Sequence, residues 1–128
     1  MIVSIYAILL VCLFIFLSFR TLKLRRKLKI AIGDGGNQEL VRAMRVHANF
    51  AEYVPISLVM ATLVELSGAH YIFVHIICLC LLLGRFIHAY GVSNSSENFK
   101  FRVQGMVLTF SSLGISCIVL LAMQVISF

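Results

Sequence analysis

Four long apolar stretches, separated by shorter polar ones, dominate the chain. Residues 2–19 run for 18 positions without a charge, enough for a helix to cross a hydrocarbon core about 30 Å thick. A second stretch, 41–66, contains Arg42, Arg45, His47, Glu52 and Glu65. A third, 71–91, contains His75, Arg85 and His88, and a fourth, 102–127, is uncharged after Arg102. Apolar residues fall on every side of these segments. The alternation with a period of two that marks a transmembrane β-barrel is missing. The pattern predicts an all-α fold, an integral-membrane four-helix bundle forming a single transmembrane domain over residues 1–128.

The links between the stretches add detail. Only Ser67–His70 separate the second from the third, so those two helices are expected to form an antiparallel hairpin. The cluster Gly33-Asp34-Gly35-Gly36-Asn37 reads as a flexible turn before the second helix. No Lys-Ser/Thr pair follows it, as a phosphate-binding loop would need. Ile2–Phe19 lacks the basic lead-in and the small-residue cleavage site of a signal peptide, so it is expected to be retained.

Composition agrees with a membrane protein. Hydrophobic residues make up 61% of the chain and charged residues 12%, against roughly 45–50% and about 25% in soluble domains. That balance excludes an ordinary soluble domain, a disordered chain and a coiled coil. The formal charge of +6 would suggest nucleic acid in a soluble protein. Here all 11 Lys and Arg lie in or beside the first and third loops, and none lies in the second. By the positive-inside rule, loops one and three are expected to be cytoplasmic and both termini external. The charge then needs no nucleic acid, and Lys23–Lys29 can meet anionic lipid headgroups. Cys12, Cys78, Cys80 and Cys117 all fall inside apolar stretches without metal or redox spacing, and read as small buried apolar residues.

Ionisable residues inside a span are costly and mark functional sites by default. At about 100° per residue, Arg42, Arg45, Asn49, Glu52 and Tyr53 fit an arc of about 100°, while His47 sits elsewhere. Two arginines supply forked donors for a carboxylate. Asn49 adds a donor and an acceptor, and Glu52 can bind an ammonium group. Such a stripe suits a small zwitterionic ligand better than a metal, which prefers His, Cys or clustered carboxylates. An internal network, with Glu52 paired to an arginine and gluing the bundle, explains the same residues, and from their chemistry alone both readings stand. Arg85, His88, Tyr90, Lys100 and Arg102 gather at the same end. An arginine cluster there would favour the thiolate of a bound thiol. As plain anchors, Arg85, Lys100 and Arg102 would instead snorkel to the interface. Ser111, Ser112, Gly114 and Ser116 give the fourth helix a small-residue stretch suited to close packing.

The run Arg42-Ala-Met-Arg45-Val-His-Ala-Asn49-Phe-Ala-Glu52-Tyr53-Val-Pro55 resembles the signature of the membrane-associated proteins in eicosanoid and glutathione metabolism, the MAPEG family. It matches every fixed position of the pattern Arg-x-x-Arg-x-x-x-Asn-x-x-Glu-Tyr-x-Pro found in the leukotriene C4 synthase-like members. The resemblance implies a homotrimer in a bacterial inner (cytoplasmic) membrane. Glutathione would be a co-substrate held between protomers, and a lipophilic small-molecule substrate would enter from the bilayer. It implies glutathione contacts from Arg45, Asn49, Glu52 and Tyr53, with Arg42 beside them and Tyr90 late in the third helix. Arg102 would be the catalytic residue that stabilises the thiolate, and Arg25 or Arg26 could join from the first loop. The implied activity is a glutathione-dependent transferase or peroxidase acting on lipophilic electrophiles or lipid hydroperoxides. The chain departs from the synthase-like members at Phe86, where they carry Tyr or His, and in a longer segment between Tyr90 and Arg102.

Two rival functions use the same features. One is a non-catalytic lipid-binding or scaffold protein of the same fold. The other is a small proton-coupled exporter, since an intramembrane glutamate is typical there. Against the exporter, Arg42 and Arg45 share the face of Glu52 and would hold it ionised, and the chain has no Trp.

Overall fold

A computed structural model describes residues 1–93 and 99–126. Four helices follow one another: α1 (Ile2–Leu28), α2 (Gln38–Leu66), α3 (Tyr71–Ser93) and α4 (Phe99–Ile126). All four are long and apolar enough to cross a membrane. α1 continues beyond the apolar stretch that ends at 19, because Lys, Arg and Leu are good helix formers and Arg25, Arg26 and Lys27 favour its C-terminal end. α2 likewise starts before 41, at Gln38, where the side chain of Asn37 accepts from the Leu40 N–H at 3.0 Å. Residue 127, the expected end of the last span, lies outside the described residues.

The segment between α1 and α2 is tied down more than its composition suggests. Arg25 donates to the carbonyls of Ile30, Ala31 and Gly33 at 3.4, 3.2 and 3.0 Å. Asp34 accepts from the Gly36 N–H at 2.9 Å. Gly33, Gly35 and Gly36 all have positive φ, which suits glycine.

α2 and α3 form the centre of the bundle and touch every other helix, while α1 and α4 do not meet among the described residues. One apolar core joins Leu10, Leu13 and Leu17 to Val46, Phe50, Val54 and Leu81. A second, at the opposite end, joins Val3 to Ala61, Val64, Val74, Ile77 and Cys78. Cys78 therefore fits the expected buried role, whereas Cys12 and Cys117 face outward. Glu65, in the last turn of α2, accepts from the backbone N–H groups of Ile2 and Val3. It thereby satisfies donors that the start of α1 leaves orphaned. His75 and Tyr6 share a 2.9 Å hydrogen bond nearby.

α3 and α4 pack the most intimately, and glycine is the reason. A Cβ added at Gly105 would stand 2.7 Å from the Gly84 carbonyl and 2.7 Å from His88 Cβ and N. The face of α4 that meets α3 is Gly105, Thr109, Ser112 and Ser116, each buried. Ser112 donates to the Ile77 carbonyl at 2.9 Å. Of the expected small-residue stretch, Ser112 and Ser116 serve this contact. Gly114 instead is exposed, and a methyl group added there would meet nothing within 4 Å.

Gly105→Ala should therefore lower the thermal unfolding midpoint, at a cost of about 1–3 kcal/mol for an overpacked interior. Gly114→Ala should leave it unchanged or raise it, because the site is open and alanine favours helix. Thermal melts by circular dichroism in detergent compare the two, and equal effects would contradict the packing described.

Candidate functional site

α2 turns Arg42, Arg45, Asn49 and Glu52 to one side, as their spacing predicts, and they line a pocket of about 420 Å³ at the basic end of the bundle. α3 contributes His88 and Val92, one turn apart, and α4 contributes Arg102. Gly91 sets that last position. A Cβ there would stand 2.8 Å from Phe101 Cβ and 2.9 Å from the Arg102 backbone nitrogen, so the bare backbone lets the first turn of α4 close over the cavity. Five residues expected at the site thus share one pocket: Arg42, Arg45, Asn49, Glu52 and Arg102.

Two expected site residues stand elsewhere. Tyr53 is half-buried beside the pocket without lining it. Its ring meets Phe110 edge-on at 5.5 Å, and the Arg85 guanidinium carbon lies 5.9 Å from its centroid. Tyr90 is 61% exposed and packs against Phe101. It lines a different, apolar cavity of about 550 Å³ between α1 and α3, together with Phe16, Leu17 and Phe86. Two residues along a helix amount to about 200° of rotation, so Tyr90 and His88 cannot share a side. Of the first-loop arginines, Arg25 is engaged with the loop carbonyls and Arg26 is exposed. Neither lines the pocket.

Behind the pocket lies a residue that spacing alone would allow to be a snorkelling anchor. Arg85 is 1% exposed, in the middle of the bundle. Its Nη1 donates to Asn49 Oδ1 at 2.7 Å, and its Nη2 to Thr109 Oγ1 at 2.6 Å. Longer contacts reach the Gly105 carbonyl and Met106 Sδ, at 3.5 and 3.4 Å. Its Nε has no partner among the described residues. The signal for this arrangement is present in part in the sequence: Arg85, His88 and Val92 recur at the i, i+3, i+7 spacing of one helix face. That the face points inward can be read only from the packed helices.

Glu52 and Arg45 are not consumed by each other. Among the described residues, neither forms an ion pair or a side-chain hydrogen bond. Among the described residues, Glu52 and Arg45 take no part in an internal network of the kind that sequence chemistry left open. Among the described residues, three guanidiniums and one carboxylate line this cavity; guanidinium donors suit carboxylates and a carboxylate suits an ammonium.

The sequence profile of the MAPEG family matches residues 3–122. The chain is 39% identical over 113 residues to the protein named Inner membrane protein YecN of Escherichia coli strain K12, covering 88% of this chain and 85% of that relative. The protein of the same name from Escherichia coli O6:H1 matches over the same extent, with the same identity.

If Glu52 holds no helix in place, Glu52→Gln should shift stability by no more than about 0.5 kcal/mol, as for a substitution away from structural contacts. Thermal melts check this. A loss of many degrees would show that the carboxylate glues the bundle.

Proposed function

The chain belongs to the MAPEG family and is an integral inner-membrane protein, and from that premise we propose that the ionic pocket binds glutathione as a co-substrate. The reaction is transfer to a lipophilic electrophile or reduction of a lipid hydroperoxide. Glutathione carries two carboxylates, one ammonium group and a thiol. Arg42 and Arg45 pair with carboxylate, Glu52 with the ammonium, and Asn49 with the peptide. Arg102 faces the thiol and favours its thiolate, the nucleophilic form. The observation that carries the reading is the presence of Arg45 and Glu52 in one cavity without partners among the described residues.

In the transferase reaction the thiolate forms a C–S bond to the electrophilic carbon, and the adduct takes its proton from water. In the peroxidase reaction it attacks the terminal peroxide oxygen and the O–O bond breaks. The leaving lipid alkoxide takes a proton from water to become the alcohol, and glutathione is left as its sulfenic acid. A second glutathione thiol then displaces water to give the disulfide. The protein contributes positioning and fixed charge. The positive-inside rule orients the pocket toward the cytoplasm, where glutathione is held reduced. The lipophilic substrate arrives from the bilayer. Protomers assemble as a homotrimer with glutathione between neighbours, and Tyr90, on the outer side of α3, acts only across such a boundary.

Isothermal titration of the detergent-purified protein should show glutathione binding, weakened about tenfold or more by Arg45→Ala. Arg102→Leu should retain binding but lose both turnover and the ultraviolet absorbance of bound thiolate. No binding by the wild type overturns the reading. Binding without turnover on electrophiles and hydroperoxides would assign a lipid-binding or scaffold role instead.

A further inference from the structure

Asn49 links the pocket to the buried interior, and the bond that makes the link determines which end of its amide the pocket receives. A guanidinium donates hydrogen bonds and accepts none. The 2.7 Å contact from Arg85 Nη1 can therefore be made only to Oδ1, and the Nδ2 hydrogens are turned away from Arg85. Arg85 itself has little freedom. It is 1% exposed, and its Nη2 is held by Thr109 Oγ1 at 2.6 Å. Thr109 in turn donates to the Gly105 carbonyl at 2.9 Å, so its lone pairs face Arg85. Gly105 is locked against Gly84 and His88 by contacts that admit no Cβ. A rigid chain thus runs from the α3–α4 contact through Thr109 and Arg85 to one side-chain amide on α2.

We infer that Arg85 is a positioning residue that locks the Asn49 amide with its N–H donors toward the pocket, so that Asn49 selects ligands presenting a carboxylate or carbonyl oxygen there. Arg85 does not line the cavity. It acts on the ligand through Asn49. Without the lock the amide can turn over and offer the ligand an oxygen in place of two donors. For the identity of the ligand this rests on glutathione as proposed above; for the orientation of the amide it does not.

The test separates those two parts. Asn49→Asp keeps an acceptor for Arg85 but replaces the donors, so it should melt at least as high as the wild type and several degrees above Asn49→Leu. The advantage of Asp over Leu should vanish in an Arg85→Met background. Glutathione affinity, measured by titration, should fall about tenfold or more in Asn49→Asp. It should fall comparably in Arg85→Met, although that residue touches no ligand, and recover to near the wild-type value in Arg85→Lys, which still donates. If Asp and Leu at position 49 melt alike with Arg85 present, the lock does not exist. If the wild type binds glutathione and Arg85→Met binds it equally well, the positioning role is overturned. If the wild type binds no glutathione while the melting cycle shows coupling, the glutathione proposal fails and the locked amide stands. Should Arg85→Met fail to fold, Arg85→Lys and the two Asn49 variants still decide.

Discussion

A guanidinium buried between α2, α3 and α4 must place its hydrogens on something, and the organisation of this protein follows from where Arg85 places them. Leaving a buried polar group without its hydrogen-bond partner costs about 1–3 kcal/mol in soluble proteins, and more for a charged group, and the bilayer offers no water as a substitute. Arg85 reaches Asn49 on α2 and Thr109 on α4 from its own position on α3. Three helices are thereby held in one register by a single side chain. Apolar contacts alone would not do this, because lipid tails are as apolar as the residues they would compete with.

The close approach of α3 and α4 is what brings those partners within reach. Gly84 and Gly105 remove the side chains that would hold the backbones apart, and Gly91 does the same where α4 begins. The first pair brings Thr109 against Arg85 and sets His88 at the pocket wall. The last admits Arg102 to the same cavity. Small residues therefore serve two ends at once, packing the helices and aiming the polar groups that need them.

The result is an asymmetric bundle. On one side of α3, His88 and Val92 border an ionic pocket. On the other, Phe86 and Tyr90 border an apolar cavity against α1. An ionic pocket and an apolar cavity thus lie against opposite faces of one helix, an arrangement that suits the proposed chemistry between a water-soluble thiol and a lipophile. The outward faces of α1 and α4 remain rich in exposed apolar residues such as Phe16, Phe19, Ile118 and Leu121, as surfaces in contact with hydrocarbon must be.

Much of this was legible from residue order. Four spans follow from hydrophobicity because every backbone polar group in lipid must be satisfied within its own helix, which leaves the chain little choice. The stripe of Arg42, Arg45, Asn49 and Glu52 was legible because a helix converts spacing into direction without help from its neighbours. What spacing cannot supply is which way a face points once helices pack. Arg85 could be an anchor or a buried hub, Glu65 a surface tip or the acceptor for the first N–H groups of α1, and the Gly-rich link a loose tether or a turn organised by Arg25. In each case the partner lies on another helix or several residues away across a loop. Only the packed chain, by bringing those partners within hydrogen-bond reach, decided between them.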